Sequence, residues 1–164
     1  MDDVLRELAA LMAERGGIDA RITHLTGRPA GPGGLRDFLA ARVLGIEPAK
    51  DTGYDGVFRS GTLAGRTVCI RTYDEATNDV GADACDHYLV FGGPEQPDGW
   101  RPSAMSLFDA KRLADRLTDR WVRTGVAAGL RAADLDAARI YPTEGPEALL
   151  SLTPEQRAAL ALFA

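Results

Sequence analysis

Three side chains carry the chemical interest of this sequence. Asp55 lies in Gly53-Tyr54-Asp55-Gly56-Val57-Phe58, and Cys69 and Arg71 lie two residues apart in Arg66-Thr67-Val68-Cys69-Ile70-Arg71-Thr72. A carboxylate on one strand, facing a residue pair spaced i, i+2 on the next, is a geometry that seats Mg²⁺. Such a site needs a second hard oxygen ligand at the first member of the pair and a cation at the second. Cys69 stands where the oxygen is needed, and a thiol is a poor ligand for Mg²⁺. Arg71 supplies a cation, but its guanidinium does not lose its proton under ordinary conditions and presents its charge as a planar fork. Arg71 has two uses in this setting: to bind a phosphate oxygen, or to pair with Asp55 as a structural salt bridge. A nucleophilic role for Cys69 would need an activating base, and nothing in the spacing of His24 or His87 brings either to it. Cys69 therefore reads as a buried small apolar residue, and His87 as a strand residue.

The elements that would position these groups are legible around them. Tyr54–Phe58 is short, aromatic and β-branched, and Ser60-Gly61 and Ala64-Gly65 supply turn residues, so the sequence predicts a β-hairpin with a second strand over 66–72. Period-two alternation puts Val68 and Ile70 on one face and Cys69 and Arg71 on the other, with Asp55 near the middle of the partner strand. Upstream, Asp2 and Asp3 suit the positive end of a helix over 2–15 with an apolar stripe of Val4, Leu5, Leu8, Leu11 and Met12, ended by Gly16-Gly17. Residues 18–25 have no clear pattern. Residues 26–34, TGRPAGPGG, form a Gly/Pro loop that lacks the Gly-Lys-Ser/Thr ending of a phosphate loop. Leu35–Leu44 follows helical spacing, with Asp37 in its first turn. After the hairpin come an acidic loop over 74–83 and His87–Phe91, whose unbroken apolar run predicts a strand buried on both faces. A Gly/Pro loop over 92–102 holds Trp100, an aromatic that either anchors a partner or folds back over the sheet. Residues 107–124 read as a helix with Ala110, Leu113, Ala114, Leu117 and Trp121 on its apolar face. Residues 138–141 read as a short strand. Thr153-Pro154-Glu155-Gln156 opens a C-terminal helix through a capping box with proline at its first position.

Composition narrows the class. At 164 residues the chain is the length of one domain, and its 45% hydrophobic and 26% charged content is that of a globular protein able to bury a core unaided. The net charge of −5 argues against binding nucleic acid or acidic membranes through bulk charge. Arg112, Arg116, Arg120 and Arg123 do form a basic row on the 107–124 helix, a candidate contact for a nucleic-acid backbone. Asp109, Asp115 and Asp119 interleave with it, which favours a solvated charged face. Two cysteines without a Cys-x-x-Cys pair exclude an ordinary zinc site. No apolar run is long enough to span a membrane and residues 1–15 do not read as a signal peptide, so the expectation is a cytoplasmic protein without a membrane partner.

The order of these segments resembles the PD-(D/E)xK nuclease superfamily, the restriction-endonuclease-like fold, and in particular a group of poorly characterised bacterial proteins with that core. The similarity runs from about Leu35 to Arg123. Leu35-Arg36-Asp37-Phe38-Leu39-Ala40-Ala41 matches a helix motif in which Asp37 takes the place of a glutamate. Asp55-Gly56 matches an Asp-Gly at a strand. Val68-Cys69-Ile70-Arg71 matches Val-x-Val/Ile-Lys with an acidic or amide residue at x. Asp86-His87-Tyr88-Leu89 matches an Asp-Tyr-Tyr-Leu strand. The resemblance implies an α/β fold with a small mixed β-sheet flanked by helices. It divides the single domain into an N-terminal helix and Gly/Pro loop over 1–34, a nuclease-like core over 35–142 and a C-terminal helical extension over 143–164. It also implies a site in which Asp55 is the metal ligand, Arg71 stands for the lysine, Asp37 assists and Cys69 occupies the degenerate acid position, with Mg²⁺ or Mn²⁺ as the cofactor and Asp74 a candidate for a migrated ligand.

Two functional readings follow. The first is a catalytically degenerate nuclease-like domain that binds nucleic acid, DNA or RNA, or a protein partner. The second is an active Mg²⁺- or Mn²⁺-dependent endonuclease that uses Asp55, Asp37 and Arg71 with a ligand from elsewhere, in a role such as host defence.

Overall fold

The structure is a computed structural model that describes residues 3–50, 52–78, 85–95, 102–124, 130–143 and 148–164. Trp100, the stretch 79–83 and the side chains of Arg120, Trp121 and Arg123 lie outside what is described.

Six strands form one sheet in chain order, β1 (Ile46–Pro48), β2 (Gly56–Phe58), β3 (Thr67–Thr72), β4 (His87–Phe91), β5 (Met105–Asp109) and β6 (Arg139–Tyr141). All neighbours pair antiparallel except β3 and β4, which are parallel. Among the described residues six helices accompany them: α1 (Asp3–Thr26), α2 (Pro32–Leu44), α3 (Tyr73–Asn78), α4 (Ala110–Thr124), α5 (Ala132–Ala138) and α6 (Pro154–Ala161). The fold is thus mixed α/β, with a mixed sheet flanked by helices.

Alternation along the strands sorts the core into two layers. Val68 and Ile70 of β3 pack with Leu89 and Phe91 of β4, under Ala40 and Leu44 of α2 and Leu160 of α6. Cys69, Tyr88, Val90 and Phe108 face the other way, against Ala76 of α3, Leu113 of α4 and Leu135 of α5. Every residue of β4 is buried, because it lies between two strands and under helices on both faces.

The expected hairpin forms as β2 and β3, with Gly56 opposite Val68 and Val57 opposite Thr67. Both turn glycines take the left-handed conformation there, Gly61 with φ 77° and Gly65 with φ 80°. Asp55 lies just ahead of β2 and not in its middle. The edge beyond β2 is taken by β1, which sequence reading missed because a three-residue strand has no alternation to show. Gly56 is where β1 closes in: a Cβ there would sit 2.5 Å from Ile46 Cγ2 and 2.8 Å from the Glu47 carbonyl oxygen.

Other boundaries move for identifiable reasons. Gly16-Gly17 does not end α1, which runs on to Thr26 and stops at Gly27 (φ 65°), whose N–H donates to the Thr23 carbonyl. α2 begins three residues before Leu35, because Pro32 suits a first helical position. The start of the expected acidic loop is helical: Thr72 and Glu75 form a reciprocal cap at the head of α3. The segment read as one helix over 107–124 is a strand followed by a helix. Leu107 and Phe108 go to opposite core layers, and the Asp109 carboxylate accepts the Arg112 N–H to start α4. α5 was not expected at all. The Thr153–Gln156 capping box and the strand near 138–141 are present as read.

Candidate functional site

β3 is longer than β2, and this mismatch builds the site. The register ends with Gly56 opposite Val68, so the Ile70 N–H points beyond the start of β2 with no strand partner. The Asp55 carboxylate takes its place: Oδ2 accepts the Ile70 N–H at 2.7 Å. Asp55 is itself fixed by its backbone, its N–H donating to the Val68 carbonyl at 3.0 Å and its carbonyl accepting the Ala49 N–H at 2.9 Å. Arg71 closes the arrangement, with Nη1 donating to the same Oδ2 at 2.7 Å and to the Ile70 carbonyl at 2.8 Å. Of the two uses the sequence left open for Arg71, the structure shows the ion pair. Burial works against the Arg71 charge, but Asp55 and its other neighbours outweigh it, so the guanidinium is held more firmly protonated.

Asp37 reaches the same place from α2. Asp37, Asp55 and Ile70 line a cleft of about 90 Å³ together with Arg28, Ile46 and Ala49. Burial raises the Asp37 carboxyl above its ordinary value against the pull of Arg36, and the Asp55 charge pushes the same way. Two carboxylates that repel each other across a small cleft are a natural seat for a hard cation, which binds through one or two carboxylates and keeps several waters. At roughly 30 Å³ per water, the cleft has room for about three.

Cys69 does not line this cleft, although Asp55 and Arg71 lie close enough to act on its thiol. It is wholly buried in the layer that faces α3, α4 and α5, whereas Asp37 rides on the helix covering the other layer. Its Sγ lies 3.8 Å from the Gly53 carbonyl and contacts the thiol of Cys85. Hydrogen bonding from Cys85 lowers Cys69, and the same contact raises Cys85. Both cysteines are free thiols. Among the described residues no group of three His, Cys, Asp or Glu side chains could hold a metal ion. Asp37 and Asp55 are the two carboxylates of the cleft that could hold a cation, with Arg71 already on one oxygen of Asp55.

Two residues that sequence reading passed over support the cleft. Arg36, next to Asp37, ion-pairs through Nη1 with Glu75 at 2.5 Å, and its Nε lies 3.7 Å from the Asp37 carboxylate. Glu75 also accepts the Thr72 N–H at 2.8 Å, so it ties α2 to the end of β3. Its signal was present as Thr72-x-x-Glu75, a capping box. Burial alone would raise Glu75, but the Thr72 N–H and Arg36 outweigh it and leave the carboxyl below its ordinary value.

The remaining candidates lie elsewhere. Arg112 and Arg116 are exposed on α4, on the opposite side of the sheet from α2, and do not form one groove with the cleft. Asp86 clamps the starts of β3 and β4, accepting the Thr67 N–H at 2.8 Å and the Thr67 hydroxyl at 3.0 Å. His87 is 7% exposed, and burial lowers its pKa below the ordinary imidazole value. Asp74 is the second residue of α3. Among the described residues no helix is long and apolar enough to cross a membrane.

No protein-family model, no curated protein and no solved structure matches the chain.

Proposed function

We propose that this chain is a catalytically degenerate member of the PD-(D/E)xK nuclease class that acts by binding nucleic acid or a protein partner. The observation that carries the reading is the state of the three motif positions. Asp55 is committed to the Ile70 N–H and to Arg71, Arg71 is committed to Asp55, and the acid position is a buried thiol on the far layer of the core. What supports the proposed ancestry is the order of the four matched segments, one on α2, one at the head of β2, one on β3 and one on β4, with α2 packed over β3. A restriction-endonuclease-like core is the fold proposed to underlie that order.

One observation favours the second reading, an active Mg²⁺- or Mn²⁺-dependent endonuclease. Asp37 and Asp55 share a cleft, and they are the residues that would hold such a cation. When bound, it would supply a Lewis acid to a phosphodiester and lower the pKa of a water. This chain would then contribute Asp37 and Asp55 as oxygen donors and Arg71 as a fixed positive charge beside them.

Incubation of the purified chain with supercoiled DNA, linear DNA and RNA, in Mg²⁺ or Mn²⁺, decides between them. The degenerate reading expects no cleavage, or cleavage equal in the wild type, Asp37→Asn and Asp55→Asn. Cleavage lost in both variants while each stays folded would overturn it. Fluorescence anisotropy with labelled DNA and RNA then separates the partners. Binding that weakens with salt supports a nucleic-acid partner, and its absence removes that arm of the reading.

A further inference from the structure

α1 is 24 residues long and has no buried residue. Val4, Leu8, Leu11, Ile18 and Ile22 nevertheless repeat along it at alternating steps of four and three, with Arg15 at the one polar position of the series. Leu5 and Met12 widen the stripe by one row. That is the seven-residue spacing of a helix that packs along a second helix. Val4 is 68% exposed, Leu11 55% and Ile18 48%. Two adjacent glycines, Gly16 and Gly17, weaken α1 from within, and a helix with no packed face draws little stability from propensity alone. Both glycines fall off the apolar stripe, so they leave it unbroken.

We infer that α1 pairs antiparallel with α1 of a second copy of this chain. Charge selects the copy and the direction. In a parallel pair, Arg15 would meet Arg15 in the seam and Glu14 would flank Asp19, both unfavourable. In an antiparallel pair that sets Leu8 against Ile18 of the second copy, Arg15 meets Leu11 and Glu7 comes opposite Arg21 twice by symmetry; the one like-charge contact is Glu14 with Glu14 at the axis, with an Arg15 beside each. At its C-terminal end the stripe also borders a groove beside α2, lined by the half-buried Ile22 and by Leu25, which is 78% exposed. The exposed apolar side chains of the stripe, at about 100 Å² each, bury roughly 600 Å² per copy, approaching the ~800 Å² per partner of a stable interface.

Sedimentation equilibrium of the full chain tests this. The expected mass at about 100 µM protein is twice 17.5 kDa. The paired change Leu8→Asp, Leu11→Asp should give the single-chain mass. The thermal midpoint of the body, read by near-ultraviolet circular dichroism, should stay in place, because neither leucine is buried in it. Arg21→Glu should weaken the dimer by about fivefold through two exposed ion pairs. Adding Glu7→Arg should restore it. A single-chain mass for the wild type, or a dimer indifferent to the Leu8 and Leu11 changes, overturns the proposal. A wild-type monomer that sediments with phosphatidylcholine–phosphatidylserine vesicles overturns it too and assigns the stripe to a lipid surface. A dimer that the charge swap fails to rescue overturns the antiparallel direction.

Discussion

Replacing Asp55 with alanine should unfold the protein more easily, whatever it does to any activity. The carboxylate accepts two hydrogen bonds on Oδ2, from the Ile70 N–H and from Arg71. Ile70 is 3% exposed, so its N–H would be left unpaired in a poorly hydrated position, at a cost of about 1–3 kcal/mol. The ion pair is partly open to solvent, with 39% of the Asp55 side chain and 26% of Arg71 exposed, and screening reduces it to about 1 kcal/mol. Together these predict a loss of about 3 kcal/mol for Asp55→Ala. In a domain of this size that is a fall in the thermal midpoint of roughly 6–12 °C. Asp55→Asn keeps an oxygen for the Ile70 N–H and loses only the charge, so it should cost about 1 kcal/mol. Urea unfolding followed by tryptophan fluorescence measures both, and a double-mutant cycle with Arg71→Met isolates the pair. An Asp55→Ala protein within about 0.5 kcal/mol of wild type would refute the claim that Asp55 completes the sheet. The point bears on any cleavage assay, because an alanine control would confuse lost chemistry with lost fold.

Three further outcomes follow from the same geometry. Asp37→Asn should stabilise the protein slightly at neutral pH. A carboxyl whose folded pKa is raised costs stability when ionised, so the gain should vanish as pH falls below the raised value. With 40% of the side chain exposed, the gain should stay under about 1 kcal/mol, read as a small rise in thermal midpoint at pH 7 that is absent at pH 3. Glu75→Gln should do the reverse: it should destabilise at pH 7, and its difference from wild type should close as pH falls from the ordinary 4.5 through the lower folded value, followed by thermal melts across that range. Gly56→Ala should cost about 1–3 kcal/mol in urea unfolding, because the new methyl would press on the Glu47 carbonyl and Ile46 where β1 crosses.

Much of this arrangement was legible in the sequence. The hairpin was marked by turn glycines and alternation, β4 by its apolar run, and the start of α6 by Thr153 and Gln156. Each is a local signal. What escaped depended on tertiary partners. β1 is a strand only because β2 lies beside it, and Leu107-Phe108 is a strand only because two core layers pull its side chains apart. α1 passes through Gly16-Gly17 because a local glycine penalty of about 1 kcal/mol each does not stop propagation from both sides. At the site, residue types and spacing named Asp55 and Arg71, and the resemblance added Asp37. That Asp55 would bond the Ile70 N–H could not be read, since it follows from β2 ending before β3 does.

On the proposed reading, the departure from the nuclease motif is more than one substitution deep. Placing glutamate at position 69 would not by itself make a metal site. The residue there is fully buried beside Tyr88, Phe108 and Leu113, so a carboxylate would have to shed its water, with Arg71, already paired to Asp55, as the nearby charge. It would also sit across the sheet from Asp37. Arg71 would still neutralise Asp55, and a divalent cation would have to displace or share that guanidinium. The thiol, the guanidinium and the packing around them fit one another: Cys69 fills a space too dry for an acid, and Arg71 supplies the positive charge that the hairpin needs beside Asp55. In this structure the Asp55 carboxylate serves the fold, through the Ile70 N–H and Arg71. For this reason the stability of Asp55→Asn, measured beside its effect on binding, separates an inherited scaffold from a working one.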